Sequence, residues 1–167
     1  MPDLSGLSTR HATTADLPFL ELMLVEATNW DGLRGTTPAS VELDSKAWRY
    51  LDGWQRPTDF GIVALHGVGS VGAGWARFLP KRHTGYGYVD DAIPELTLAV
   101  ARGERGRGVG TDILNGLIES ARELDLPGLS LSVEDGNAGA RKLYEEAGFT
   151  VVGRNGNSDT MLLRLQQ

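Results

Sequence analysis

Apolar positions along this chain recur with two periods. Over residues 16–28, Leu17, Leu20, Met23, Leu24 and Ala27 fall at helical spacing, with Thr14 in the place of a cap. A second helix is expected over 41–54, weakened at its end by Gly53. Val109, Ile113, Leu114, Leu117, Ile118, Ala121 and Leu124 mark a third. Ala140, Leu143, Tyr144 and Ala147 share one face of a fourth, with Asn137 as cap and Gly148 as C-terminal stop. Strand signals fill the intervals. Residues 8–12 read as a first strand, and 61–65 with 71–78 read as a hairpin around the turn 66–70. Leu96-Thr97-Leu98-Ala99-Val100 ends a long strand, and Leu129-Ser130-Leu131-Ser132-Val133 alternates as a half-buried strand does. Phe149-Thr150-Val151-Val152 opens another, and 159–165 is the last. The order β-α-α-β-β-β-α-β-α-β-β predicts an α/β (α+β) chain.

Composition narrows the classes. The 167 residues are read as one domain, 1–167, with no linker, repeat or low-complexity stretch. No apolar run approaches a membrane span and no secretory signal is visible, so no membrane partner is expected. There are no cysteines, which excludes disulfides and thiol catalysis and agrees with a cytoplasmic protein. A formal charge of −6 argues against a nucleic-acid partner. His11, His66 and His83 lack metal-ligand spacing, and Asp90 and Asp91 are neighbours on a strand-like segment that sends their side chains apart, so no metal is expected.

Against that acidic background, Arg102, Arg105 and Arg107 concentrate positive charge. They belong to the run Arg105-Gly106-Arg107-Gly108-Val109-Gly110, which follows a strand and opens a helix. Glycines let successive N–H groups converge, the helix start adds unpaired donors, and arginines add forked donors, which together suit phosphates. Spacing rejects two familiar phosphate loops. Val109 stands where a Walker loop needs Lys, and Thr111 stands where the dinucleotide fingerprint needs its third Gly.

The spacing that fits is Arg105-x-x-Gly108-x-Gly110 after Leu98-Ala99-Val100. It resembles the acyl-CoA-binding loop of the GCN5-related N-acetyltransferase (GNAT) superfamily. Downstream, the run from Asn137 through Leu143-Tyr144 to Gly148-Phe149 resembles the family's second signature. The resemblance covers about the whole chain and is weakest over 27–59. It implies a GNAT fold: a mixed, mostly antiparallel sheet of about six to seven strands, about four helices, and splayed central strands. It also implies acetyl-CoA as co-substrate and direct attack by a primary amine on the thioester. Terminal strands of such domains often support a homodimer. Two rivals stay open: a non-catalytic acyl-CoA-binding module, and a phosphate-binding domain for another nucleotide.

The same resemblance assigns roles. Backbone amides at Leu98, Ala99 and Val100 would hold the acetyl carbonyl and pantetheine arm, and residues 105–111, including Gly106, Arg107 and Thr111, would hold the pyrophosphate. Asn137 could cap its helix, touch the pantetheine arm, or both. Tyr144 is the candidate general acid, with an aromatic packing role as the alternative. Glu95 is the candidate base, with a solvated strand-end carboxylate as the alternative. For the acceptor, a small-molecule amine or a peptide amine, Trp30, Trp75, Tyr86 and Tyr88 are candidate contacts, among aromatics that equally serve as packing.

Overall fold

The computed structural model describes residues 6–165. Seven strands form one sheet in the order β1-β2-β3-β4-β5-β7-β6. They are β1 (Leu7–His11), β2 (Phe60–His66), β3 (Gly69–Arg77), β4 (Glu95–Val100), β5 (Gly128–Glu134), β6 (Thr150–Asn155) and β7 (Ser158–Arg164). Every neighbouring pair is antiparallel except β4 and β5. Among the described residues the helices are α1 (Leu17–Thr28), α2 (Pro38–Leu43), α3 (Ser45–Trp48), α4 (Val109–Glu123) and α5 (Ala138–Ala147).

The sheet carries a core on each face, as strand alternation requires. Ile62 and Ala64 of β2 meet Ile113, Leu117 and Ala121 of α4 on one side. Val63 of the same strand meets Leu20 and Leu24 of α1 on the other, with Trp75 and Leu51. The amphipathic stripe expected from Val109 to Ala121 is therefore the buried face of α4.

The second expected helix is two short ones. Asp44 adopts extended backbone and its carboxylate accepts the N–H groups of Lys46 and Ala47, so it ends α2 and caps α3 in one step. Beyond Trp48 the chain runs in turns, and Gly53 takes a left-handed φ of 73°. At the first helix, Thr13 rather than Thr14 opens the leading 3-10 turn, and its N–H donates to Asp16 at 2.7 Å. The strand ending at Val100 is six residues long, starting at Glu95. Asp90 and Asp91 lie in a loop, where Asp91 accepts from the Lys81 N–H and the Tyr88 hydroxyl.

Gly72 and Gly74 admit α4 to the sheet rather than a ligand. A Cβ on Gly74 would lie 2.7 Å from Ile113 Cγ2 and 2.9 Å from Leu117 Cδ1. The register of β2 with β3 shifts just beside them, between Ala64 and Leu65. Overpacking a close-packed seam of this kind costs about 1–3 kcal/mol. Gly74→Ala is therefore expected to lower the melting temperature by several degrees, read by calorimetry; an unchanged transition would contradict the contact.

Candidate active site

Strand β4 is fully laddered to β3, from Gly72↔Val100 to Arg77↔Glu95, yet its register with β5 has the single pair Glu95↔Ser130. There the Ser130 N–H reaches the Pro94 carbonyl at 3.0 Å. Beyond that point the two strands diverge. Since the Ala101 N–H donates to Val71 of β3, alternation turns the N–H groups of Leu98 and Val100 toward the opening and that of Ala99 toward β3. Of the three amides expected at the acetyl group, two face the gap. A cavity of about 970 Å³ follows this gap from the 105–111 loop to α2 and α3.

One end of the cavity is an anion cradle. Gly106 and Gly108 take left-handed φ values of 78° and 80°, which a side chain would strain, and Gly108 leads directly into α4. The Asp112 N–H closes the first helical bond, onto the Gly108 carbonyl. The N–H groups of Val109, Gly110 and Thr111 therefore have no partner within the helix, at the positive end of its dipole. Arg105 lines the cavity, with Glu26 at 3.7 Å as its ion partner. Arg107 does not line it and pairs with Glu104 at 3.3 Å. A Cβ on Gly110 would lie 3.3 Å from Leu143, so glycine there lets α5 approach. Asn137 caps α5 through Oδ1, which accepts the Ala140 N–H at 3.3 Å. It also lines the cavity, so the cap and a contact with the arm are compatible.

Tyr144 stands on α5 above the same gap, 6% exposed and tilted against Phe149. Burial pushes the pKa of its phenol up, so the hydroxyl keeps its proton at neutral pH. The ring packs in the core and the residue also borders the cavity.

The other end is built around Glu95, which is not a solvated strand end. It is 3% exposed, because residues 84–88 fold over it. Two glycines allow that cover. A Cβ on Gly85 would lie 2.5 Å from the Tyr50 hydroxyl, and one on Gly87 would lie 2.5 Å from the Leu131 carbonyl carbon. The Tyr50 hydroxyl donates to Glu95 Oε2 and accepts the Tyr86 N–H at 2.8 Å. The Gly87 N–H favours the ionised carboxylate but falls outside hydrogen-bond geometry, so Oε1 is buried without a partner. Burial pushes the Glu95 carboxyl up to about 7, against the opposing pull of Tyr50, Gly87 and Lys46.

The segment after α1 closes the mouth. Arg34 forks onto Glu134 at the end of β5, one arm at 2.6 Å, and also donates to the Thr28 carbonyl. That arginine holds the Glu134 carboxyl below its ordinary range. Of the aromatics named as candidate acceptor contacts, Trp30 and Tyr86 line the cavity. Trp75 does not: it is fully buried on the α1 face of β3 and donates its indole N–H to the Tyr50 carbonyl at 2.7 Å. Tyr88 also lies outside, in a shallow groove beside β6. Trp54 is packing too, bonded to the Thr13 carbonyl. Sequence reasoning missed the pairing of Glu95 with Tyr50 and of Arg34 with Glu134. The alternation Gly85-Tyr86-Gly87-Tyr88 was the visible trace of the first.

A gap between parallel strands can accept an extended arm as if it were a further strand, with its phosphates at the helix start. Fold and site together define an acyl-CoA-dependent acyltransferase. The chain belongs to the GNAT acetyltransferases, since the family described as "Acetyltransferase (GNAT) family" matches residues 25–149. It is an acetyl-CoA-dependent N-acetyltransferase, which sets aside the rival reading of a site for another nucleotide. It is 30% identical over 149 residues to the L-methionine sulfoximine/L-methionine sulfone acetyltransferase of Pseudomonas paraeruginosa, covering 88% of this chain and 82% of that one. The ribosomal-protein-alanine N-acetyltransferase of Brucella melitensis superposes with a TM-score of 0.69 at 26% identity, over 95% of this chain and 99% of that one. The fold is shared with Salmonella typhimurium YncA, solved with acetyl-CoA, at a TM-score of 0.72 and 20% identity over 98% of this chain and 96% of that one. Among the described residues no group of His, Cys, Asp and Glu is placed to hold a metal, and no helix is long and apolar enough to cross a membrane.

The buried Glu95 gives a test of the geometry that needs no substrate. Its folded carboxyl titrates at about 7 against an ordinary value of 4.5, so the folded state holds the extra proton between those values. The associated stability is present below the unfolded value and lost as pH rises through the folded one. From about pH 5 to pH 8 the protein is expected to lose roughly 2–3 kcal/mol relative to Glu95→Gln, read by urea unfolding. Parallel pH curves for the two proteins would contradict the burial of this carboxylate.

Proposed function

We propose that the protein acetylates the primary amine of a small molecule by direct attack on acetyl-CoA, with Glu95 as base and Tyr144 as acid. The observation that carries this reading is the position of Glu95 Oε1. It is a buried, unpartnered oxygen whose residue borders the same cavity as the free amides of Leu98 and Val100. A module that only bound acyl-CoA would have no use for such a group.

The Leu98 and Val100 N–H groups and the helix start hold the arm and pyrophosphate, with the thioester carbonyl against the free amides. Glu95 takes one proton from the acceptor ammonium, directly or through one water; three residues of strand, about 10 Å, separate it from Leu98. The amine nitrogen attacks the carbonyl carbon, the C–N bond forms, and the oxyanion develops toward the free amides. The C–S bond then breaks, and Tyr144 protonates the sulfur and recovers a proton from the nitrogen. Of the three ammonium protons one stays on the amide, one leaves through Glu95 to solvent, and one ends on the thiol. A carboxyl titrating at about 7 is suited to accept and release that proton near neutrality.

The acceptor enters between the segment carrying Trp30 and Arg34 and the loop carrying Tyr86, a reading supported by the cavity that these residues line with Tyr50. The relative named for L-methionine sulfoximine and L-methionine sulfone makes small amino compounds the first class to try. The absence of cysteine supports a cytoplasmic setting.

Acetyl-CoA is expected to raise the melting temperature while ATP and NAD do not, because only a ligand of the folded site stabilises by mass action. Thiol release from acetyl-CoA should then be followed with L-methionine sulfone, L-methionine sulfoximine, spermidine and an alanine-terminated peptide. For the amine that reacts, kcat/KM falls below about pH 7, where Glu95 is protonated. Glu95→Gln removes that limb, and Tyr144→Phe lowers kcat roughly a hundredfold. An unchanged pH profile in Glu95→Gln would remove Glu95 from the mechanism.

A further inference from the structure

Tyr50 is buried, yet the transfer steps do not call on it. Its backbone is fixed by the Trp75 indole on its carbonyl, and its ring stacks on Tyr86 with centroids 6.4 Å apart. The hydroxyl has one proton to give and gives it to Glu95 Oε2; its lone pair takes the Tyr86 N–H at 2.8 Å. With Oε2 so engaged, Oε1 is left without a hydrogen-bond partner, buried beside Gly85, on a residue that borders the cavity. We infer that Tyr50 is a positioning residue, whose hydroxyl aims the Glu95 carboxyl at the acceptor and ties it to the loop at Tyr86. This rests on Glu95 being the base.

The surroundings leave that task to Tyr50. Opposite Glu95 on β3, Arg77 is taken up by Asp59 and by the carbonyls of Arg49 and Asp52. On β5 the facing residue is Ser130, which carries no charge. Lys46 of α3 acts on Glu95 only as a charge, and its ammonium sits over the Tyr86 ring, 4.5 Å from the centroid. The Gly87 N–H adds a further pull toward the ionised form. Tyr50 itself ionises well above the ordinary range of a phenol, because of burial and the adjacent carboxylate, so it donates throughout the working pH range. A hydroxyl that donates to the charged form favours that form. Removing it must move the Glu95 titration upward.

The experiment is a carbon-13 titration of side-chain carboxyls, with the Glu95 signal assigned by its loss in Glu95→Gln. In Tyr50→Phe the Glu95 midpoint is expected to rise by about one unit. Thiol release at pH 7 should then fall about fivefold and recover by about pH 9, since fewer molecules carry the ionised base. A loss of packing would lower the rate at every pH alike. Gly85→Ala gives a second approach without touching Tyr50. Its Cβ would lie 2.5 Å from the Tyr50 hydroxyl and 2.6 Å from Glu95 Oε1, so the pair must separate and the midpoint must again rise. A Glu95 midpoint unmoved in both variants overturns the inference. Failure of the base assignment shows elsewhere, as a wild-type pH profile in Glu95→Gln, while the carboxyl titration still decides whether Tyr50 holds Glu95.

Discussion

Strands β4 and β5 share one register pair, Glu95↔Ser130, and then part. Backbone donors in a sheet interior are expensive to leave unpaired, at about 1–3 kcal/mol each when water is excluded. A sheet that zipped closed would satisfy Leu98 and Val100, and would also have no site. The rest of the molecule works around this omission. Strands β1–β4 are held by antiparallel ladders, and β5–β7 by another set, on the two sides of the gap. Helix α4 packs on β1 to β4 and also on β5, so it bridges the gap, and α5 seats beside the opening. The amides of Leu98 and Val100 thus stay unpaired while one core beneath both sets of strands fixes the width of the gap.

The two ends of the gap use opposite electrostatics. At the α4 end, positive backbone φ at two glycines and free helix donors create a site for anions, in a wall where Arg105 stands beside Glu26 and Glu104. Arg105 is shared with Glu26 and Arg107 is turned away onto Glu104. At the other end, a carboxylate is kept dry by a glycine-tyrosine loop and left half ionised near neutrality. In the proposed mechanism, donor recognition therefore falls mostly to backbone and proton transfer to side chains. That division matches a co-substrate whose phosphates sit far from its reactive carbon.

What the sequence disclosed was local. The cradle is one contiguous run, and its glycines and arginines can be read in place. Helices α4 and α5 are long enough for periodicity to fix their buried faces, and Gly148 stops α5 with a left-handed φ of 105°. What it concealed was contact between distant segments. Tyr50 and Glu95 are 45 residues apart, and Arg34 and Glu134 are 100 apart. Glu95 looked solvated because Pro94 and a strand start precede no visible cover; the cover comes from a loop whose glycines matter only through what they touch. Trp75 looked like an acceptor contact because alternation alone does not say which face of β3 meets the cavity. The break at Asp44 was hidden because its effect depends on backbone shape rather than on apolar spacing.

The fork of Arg34 onto Glu134 joins a segment following α1 to the tip of β5, across the mouth of the opening. With the strands touching at Ser130, this ion pair fastens the opening a second time at its far end, as a latch stands opposite a pivot. Both latch residues are partly exposed, 38% and 24%, so dissolved salt reaches them while it does not reach the pivot. Dissolved salt therefore weakens the tie between Arg34 and Glu134 across the mouth, while the strand contact at Ser130, made by backbone, is left as it is.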